Sequence, residues 1–137
     1  MIALGNFMGE RMWEIEYTDE FKEWWDSLSE AAQEDVEVKI ILLKELGPSL
    51  QFPHSSEIKG SAYSHMRELR VQHKGRPFRV LYAFDPKRKA VLLIGGDKTG
   101  KDRWYKKFIA IADKLYKKHL KLMGKEVKPT WQDHLKN

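Results

Sequence analysis

Three runs of period-2 sequence, Arg67 to Gln72, Phe78 to Phe84 and Ala90 to Gly95, constrain this chain more than any other feature. They are separated by His73-Lys74-Gly75-Arg76-Pro77 and Asp85-Pro86-Lys87-Arg88-Lys89, two short segments rich in turn formers. Connections this short join antiparallel neighbours, so the three runs form a meander. With the turn at Lys74-Gly75, Val71 faces Phe78, Leu69 faces Val80, and Arg70 faces Arg79, whereas a shift by two would preserve the faces but move the partners. The apolar pairs then share one face of the sheet and both arginines fall on the other. With Tyr82 opposite Leu92, Arg79 faces Gly95, where the missing side chain leaves room for close approach by a backbone or a ligand.

The other segments supply what covers this sheet. Trp13-Glu14-Ile15-Glu16-Tyr17 alternates apolar and acidic residues, the pattern of a half-buried strand. Thr18 is an N-cap with Asp19 and Glu20 in the first turn of a short helix over residues 18 to 28, whose apolar side is Phe21, Trp24, Trp25 and Leu28. Ser29 caps a second helix with the stripe Ala32, Val36, Ile40 and Leu43, which stops at Gly47-Pro48. Residues 47 to 62 read as a loop with a short turn at Glu57-Ile58-Lys59. Helical period returns over residues 102 to 123, with Trp104, Phe108, Ile111 and Leu115 on one face. The order predicts an α+β domain: a mainly antiparallel sheet built from the N-terminal strand and the three-stranded meander, two N-terminal helices and a C-terminal helix. The helices are expected on one face, leaving the other open. The domain spans residues 12 to 123, between a flexible extension (1 to 11) and a polar tail (124 to 137).

Composition removes several classes. The chain has 137 residues and no Cys, so thiol catalysis, Cys-based zinc sites and disulfide frameworks are excluded. Its aliphatic runs, Ile40 to Leu43 and Val91 to Ile94, fall far short of the ~20 residues of a membrane span. Met1 to Gly9 lacks the basic start and long apolar stretch of a signal peptide, so the expected compartment is the cytoplasm, with no membrane partner. The formal net charge of +5 hides a polarity along the chain. Residues 1 to 58 hold 4 basic and 13 acidic side chains, and residues 59 to 137 hold 21 basic and 7 acidic ones. A basic half of this strength points to a polyanion, with nucleic acid as the first candidate.

Residues 67 to 107, which are the meander, its rim loop and the start of the last helix, hold 13 basic and 4 acidic side chains. Two guanidiniums facing each other at Arg70 and Arg79 repel, and a phosphate bound between them removes the conflict. Pairing with an acid such as Glu68, or simple solvation, removes it too. Lys98 and Lys101 project from the loop after the third run, and Tyr105 lies on the first turn of the last helix. Gly95-x4-Gly100-Lys101 nearly spells a phosphate-cradling loop, but Asp102 stands where a Ser or Thr would bind magnesium, and a meander is not a βαβ unit. His54, His65, His73 and His119 read as surface histidines, and no spacing suggests a metal site or a cofactor.

The run His65-Met66-Arg67-Glu68-Leu69-Arg70, then Phe78 to Asp85, then Ala90 to Lys98, then Arg103-Trp104-Tyr105, resembles the RelE/HigB-type toxins of bacterial type II toxin–antitoxin systems, in particular the phage-derived HigB-like branch. The resemblance covers about residues 12 to 123. It implies a RelE-like fold and a ribosome-dependent endoribonuclease that cuts mRNA without a metal or cofactor. It also implies a small cognate antitoxin, of helix-turn-helix type. Carried onto this sequence, it makes Arg70, Arg79, Lys98 and Tyr105 the catalytic residues. Arg70 and Arg79 would hold the phosphate charge, and Lys98 or Tyr105 would take the 2′-hydroxyl proton. Arg67, Lys101 and Arg103 would position the RNA backbone. The departure is at Asp97-Lys98-Thr99, where the usual basic pair is reduced to one lysine. Two other readings fit the same residues: a basic RNA- or ribosome-binding module without turnover, and a degenerate toxin that only binds its antitoxin.

Overall fold

A computed structural model describes residues 12–136, with side chains described as far as Gly124. The expected flexible extension, residues 1 to 11, lies outside the described residues. The order is β1 (Glu14–Tyr17), α1 (Asp19–Asp26), α2 (Glu30–Leu46), a 3-10 turn (Gly47–Ser49), β2 (Ser55–Glu57), β3 (Arg67–His73), β4 (Arg76–Phe84), β5 (Lys89–Asp97) and α3 (Trp104–Lys136). The strands form one five-stranded sheet in the order β1-β5-β4-β3-β2, antiparallel throughout except where β1 runs parallel to β5. This is the expected α+β class.

Local chemistry sets the helix boundaries. Thr18 and Ser29 are the N-caps, each with its hydroxyl accepting from the amide three residues on, at 3.0 and 3.1 Å. Gly47 ends α2 at φ +54, and a side chain there would collide with the indole of Trp13. The β3–β4 register is the expected one, with Arg70 opposite Arg79 around a turn in which Lys74 and Gly75 both have positive φ.

Four expectations need correction. β5 bulges: Leu81 faces Ile94, Tyr82 faces Leu92, and Leu93 is passed over, so Arg79 faces Gly96 rather than Gly95. The extra residue has a use, since the Leu92 and Leu93 carbonyls accept from the amide and hydroxyl of Thr18 at 3.1 and 2.6 Å, tying the start of α1 to the sheet. Second, Ser55–Glu57 is a strand, paired with Arg67 to Leu69, where a loop was expected. Third, α3 runs to Lys136, so the polar tail from residue 124 is largely helical.

Fourth, the helices do not share one face of the sheet. α1 and α2 bury Phe21, Ala32, Val36 and Leu43 against Leu69, Val71, Phe78, Val80 and Leu92 on one side. α3 buries Trp104, Ile109, Ala112 and Tyr116 against Leu81, Ala83, Val91 and Leu93 on the other. What remains of the open face is a strip beside the start of α3.

Candidate functional site

β3 alternates its side chains, so Leu69 and Val71 enter the core under α1 and α2 while Glu68 and Arg70 emerge on the α3 side. Arg79 on β4 lies on that side too, opposite Arg70. Above them, the first turn of α3 brings in Tyr105. The hub of the group is Glu68, only 4% exposed. Its Oε1 accepts from the Tyr105 hydroxyl at 2.7 Å and lies 3.5 Å from Arg79 Nε. Its Oε2 accepts from the Ser56 hydroxyl at 2.6 Å and from Arg70 Nη1 at 3.3 Å. A single carboxylate thus serves two guanidiniums.

Compensation is incomplete. Arg79 is 4% exposed and its Nη1 donates to the Phe78 carbonyl at 2.9 Å, but its Nε has no hydrogen-bond partner among the described residues. A buried donor left in this way is costly unless something else is bound. Arg70 is more accessible, with 30% of its side chain exposed. Its guanidinium lies 5.0 Å from the centre of the Phe52 ring, and Phe52 itself is 69% exposed. Burial, then the hydrogen bond and charge of Glu68, raise the pKa of Tyr105 above the ordinary phenol value, with Arg79 opposing them. Tyr105 therefore keeps its proton at neutral pH and donates it in the hydrogen bond to Glu68.

Lys98 reaches the same group from the rim, its ammonium 5.5 Å from the centre of the Tyr105 ring. Asp97, the departure from the basic pair, shapes this rim. Burial works against its ionisation, but the hydroxyl and amide of Thr99 and the guanidinium of Arg76 outweigh that and hold its pKa below the usual carboxylate value. Lys101 and Arg103 are exposed a few residues on, and with Trp104, Lys106, Lys107 and Phe108 they line an open cleft of about 670 Å³.

The structure thus brings together Arg70, Arg79, Lys98 and Tyr105, with Lys101 and Arg103 at the edge. Arg67 is not among them. It lies on the opposite face, across from Tyr82, where its Nε donates to the Ser55 hydroxyl at 3.0 Å and its Nη2 to the Leu50 carbonyl at 3.4 Å. Ser55 and Tyr82 share a further hydrogen bond of 2.6 Å. Arg67 therefore fastens β2 to the sheet. The acid pairing weighed for the arginines is realised through Glu68, and the face they occupy is mostly covered.

Neither glycine of β5 opens a path for a ligand. A side chain at Gly95 would strike Trp24 of α1, and one at Gly96 would meet Trp104 and Phe108. The histidines are not simply solvated either. His73 pairs with Asp35 at 2.7 Å and His119 with Asp85 at 2.8 Å, while His54 accepts from Lys39 and His65 hydrogen-bonds the Tyr116 hydroxyl. Two members of the site were missed as functional residues. Glu68 was legible, because period 2 puts it on the same face as Arg70. Phe52 carried no signal, since nothing local says that the loop folds beside Arg70.

The fold belongs to the RelE class. The isolated RelE toxin of E. coli superposes with a TM-score of 0.51 at 11% identity, over 72% of this chain and 98% of that one. An arginine double mutant of the same toxin in the free state gives 0.50 at 11% identity, over 68% and 90%. Residues 23–117 match the family described as phage derived protein Gp49-like. Two Mycobacterium tuberculosis proteins named as toxins are similar in sequence: HigB3 is 43% identical over 91 residues, 66% of this chain and 78% of that protein, and HigB2 is 38% identical over 99 residues, 71% and 49%. The chain belongs to this phage-derived family, within the RelE/HigB toxin class. The match to HigB2 spans about half of that protein's length. Among the described residues no helix is long and apolar enough to cross a membrane, and no three His, Asp or Glu side chains gather as a metal would need.

Proposed function

We propose that the protein is the toxin of a type II toxin–antitoxin pair, a metal-independent and ribosome-dependent endoribonuclease. It cuts mRNA by attack of a 2′-hydroxyl on the adjacent phosphate, arrests translation and growth in the cytoplasm, and is silenced by a small cognate antitoxin of helix-turn-helix type. One observation carries this reading: two guanidiniums share a single carboxylate beside a phenol held protonated, with an ammonium over the phenol ring. The net positive charge suits a phosphate whose negative charge grows in the transition state.

Arg70 meets the phosphate first, because it is the exposed one, and Arg79 lies beneath it. Tyr105 donates a proton to the departing 5′-oxygen, and Lys98 takes the 2′-hydroxyl proton in the fraction of molecules that hold it as the neutral amine. Phe52 stacks on a splayed base, as aromatic side chains do with single-stranded RNA. Lys101 and Arg103 hold the flanking backbone. Arg67 has no part in the chemistry.

The burial of Arg79 favours a second reading, a binding module without turnover. Translating ribosomes with a defined mRNA, incubated with and without the protein, separate the two. New 5′ ends, each matched by an upstream fragment ending in a cyclic phosphate, are the expected result. Ribosome binding with no new ends overturns the enzyme reading, and equal cleavage of naked RNA overturns ribosome dependence.

A further inference from the structure

The basic half of the chain does not discharge itself at the sheet. Its largest exposed group of cations lies on the outer side of α3: Lys106, Lys107, Lys114, Lys117, Lys118 and Lys121. At 3.6 residues per turn these six fall within an arc of about 120°, and at ~1.5 Å per residue they extend over about 22 Å. The buried residues Ile109, Ala112, Tyr116 and Met123 lie on the opposite side of the helix. Among the described residues none of the six lysines pairs with an acid. The one acid of this stretch of helix, Asp113, sits at the edge of the arc, and its carboxylate is taken by the Ser61 hydroxyl at 2.6 Å and the Ala62 amide at 2.8 Å. The arc is a straight ridge of one sign.

We propose that this ridge is a second RNA-binding surface, distinct from the cleavage site, which docks along the phosphate backbone of an RNA duplex. The chemistry of the arc selects the partner. Besides lysine it contains only Ala110, so it has no aromatic platform for unpaired bases. It has no apolar anchor for a protein interface, whose affinity concentrates in buried apolar and aromatic contacts. It cannot insert in a bilayer, because the apolar side of α3 is spent on the protein's own core. A rigid row of point charges suits a regular, sequence-independent array of phosphates. α1 and α2, on the other side of the sheet, carry nine acidic and three basic residues and would be repelled by it. Binding is thereby oriented, with the α3 side toward RNA. Lys106 and Lys107 also line the cleft beside Lys101 and Arg103, so the ridge runs up to the candidate site.

This inference deepens the RNA reading and rests on it, but its test measures binding rather than cleavage, so the two fail separately. The probe is a 20-base-pair RNA duplex, titrated with the full chain at several salt concentrations. The triple substitution Lys114→Gln, Lys117→Gln, Lys121→Gln, all remote from Tyr105, is expected to lower affinity by roughly 10-fold or more at about 0.1 M salt. It should also flatten the plot of log affinity against log salt by roughly 2 to 3. The triple Lys→Arg variant should bind as the parent does, and melting curves establish that all three proteins are folded. Unchanged affinity and slope in the Gln variant overturn the proposal. Equal binding of the parent to polyglutamate or to phosphatidylserine vesicles at matched charge overturns the choice of RNA. Loss of cleavage with duplex binding intact would instead fault the catalytic reading alone.

Discussion

The two faces of the sheet are built from alternate residues of the same strands, yet they are stabilised differently. Under α1 and α2 the packing is apolar and tight: Leu69, Val71, Phe78, Val80 and Leu92 are nearly or fully buried, and Arg67 beside them spends its guanidinium on Ser55 and the Leu50 carbonyl. Under α3 the same strands present Glu68, Arg70 and Arg79, with two cations on one carboxylate and a buried donor unpaired. Residues three apart on β3, Arg67 and Arg70, therefore have opposite roles. Local identity does not make an arginine functional. The face it occupies, and whether its charge is already satisfied there, decides.

The sharpest way to break this comparison is to remove one arginine from each face. Arg79→Ala is expected to reduce cleavage by about 100- to 1,000-fold, as loss of a charge-stabilising donor does, and to lower stability, because Glu68 then keeps a buried charge with less compensation. Arg67→Ala should cost about 1–3 kcal/mol of stability by leaving Ser55 and the Leu50 carbonyl short of a partner, with cleavage per folded molecule unchanged. Initial rates normalised to folded protein measure both.

On the packed face, Gly95→Ala places a methyl where the Trp24 ring already lies, 2.3 Å from the ideal Cβ. A loss of about 1–3 kcal/mol is expected from chemical denaturation, again without a change in rate per folded molecule. On the polar face, Phe52→Ala should leave stability nearly unchanged, since the ring is exposed, and weaken RNA binding by about 5- to 100-fold if it stacks on one base. Fluorescence titration with a short single-stranded RNA reads this.

The smallest effect is in the titration of Tyr105. Burial and Glu68 raise its folded-state pKa above the ordinary value near 10, so its contribution to stability is present below pH ~10 and lost as pH rises through the folded-state value. Tyr82 and Tyr116 shift in the same direction by burial. Glu68→Gln should move Tyr105 back toward 10 and leave the other two unmoved, which ultraviolet tyrosinate titration can follow.

What could be read in the sequence came from alternation. Period 2 puts Arg70 and Arg79 on one face, because a slip of one residue would move the whole apolar set to the other, and the Lys-Gly turn then sets them opposite each other. The bulge at Leu93 was not legible, since nothing local marks it and the partner of its carbonyl, Thr18, lies some 75 residues away in the chain. β2 was not legible because Ser-Ser-Glu has no apolar period and becomes a strand only by pairing with β3. The side of the sheet that α3 covers depends on tertiary packing, as does the meeting of Tyr105 with Glu68 across 37 residues. Arg70, Arg79, Lys98 and Tyr105 could therefore be named in advance, but not Phe52, the closure by Glu68 or the loss of Arg67 to the other face.

The central claim is that the Arg70 face, and not the Arg67 face, handles the RNA phosphate. Mapping new 5′ ends on a translated mRNA with matched amounts of folded parent, Arg67→Ala and Arg70→Ala protein tests it directly. Parental cleavage is expected of the Arg67 variant, and a loss of about 100-fold or more of the Arg70 variant. Parental cleavage by a folded Arg70→Ala protein, or its loss in a folded Arg67→Ala protein, would contradict the claim.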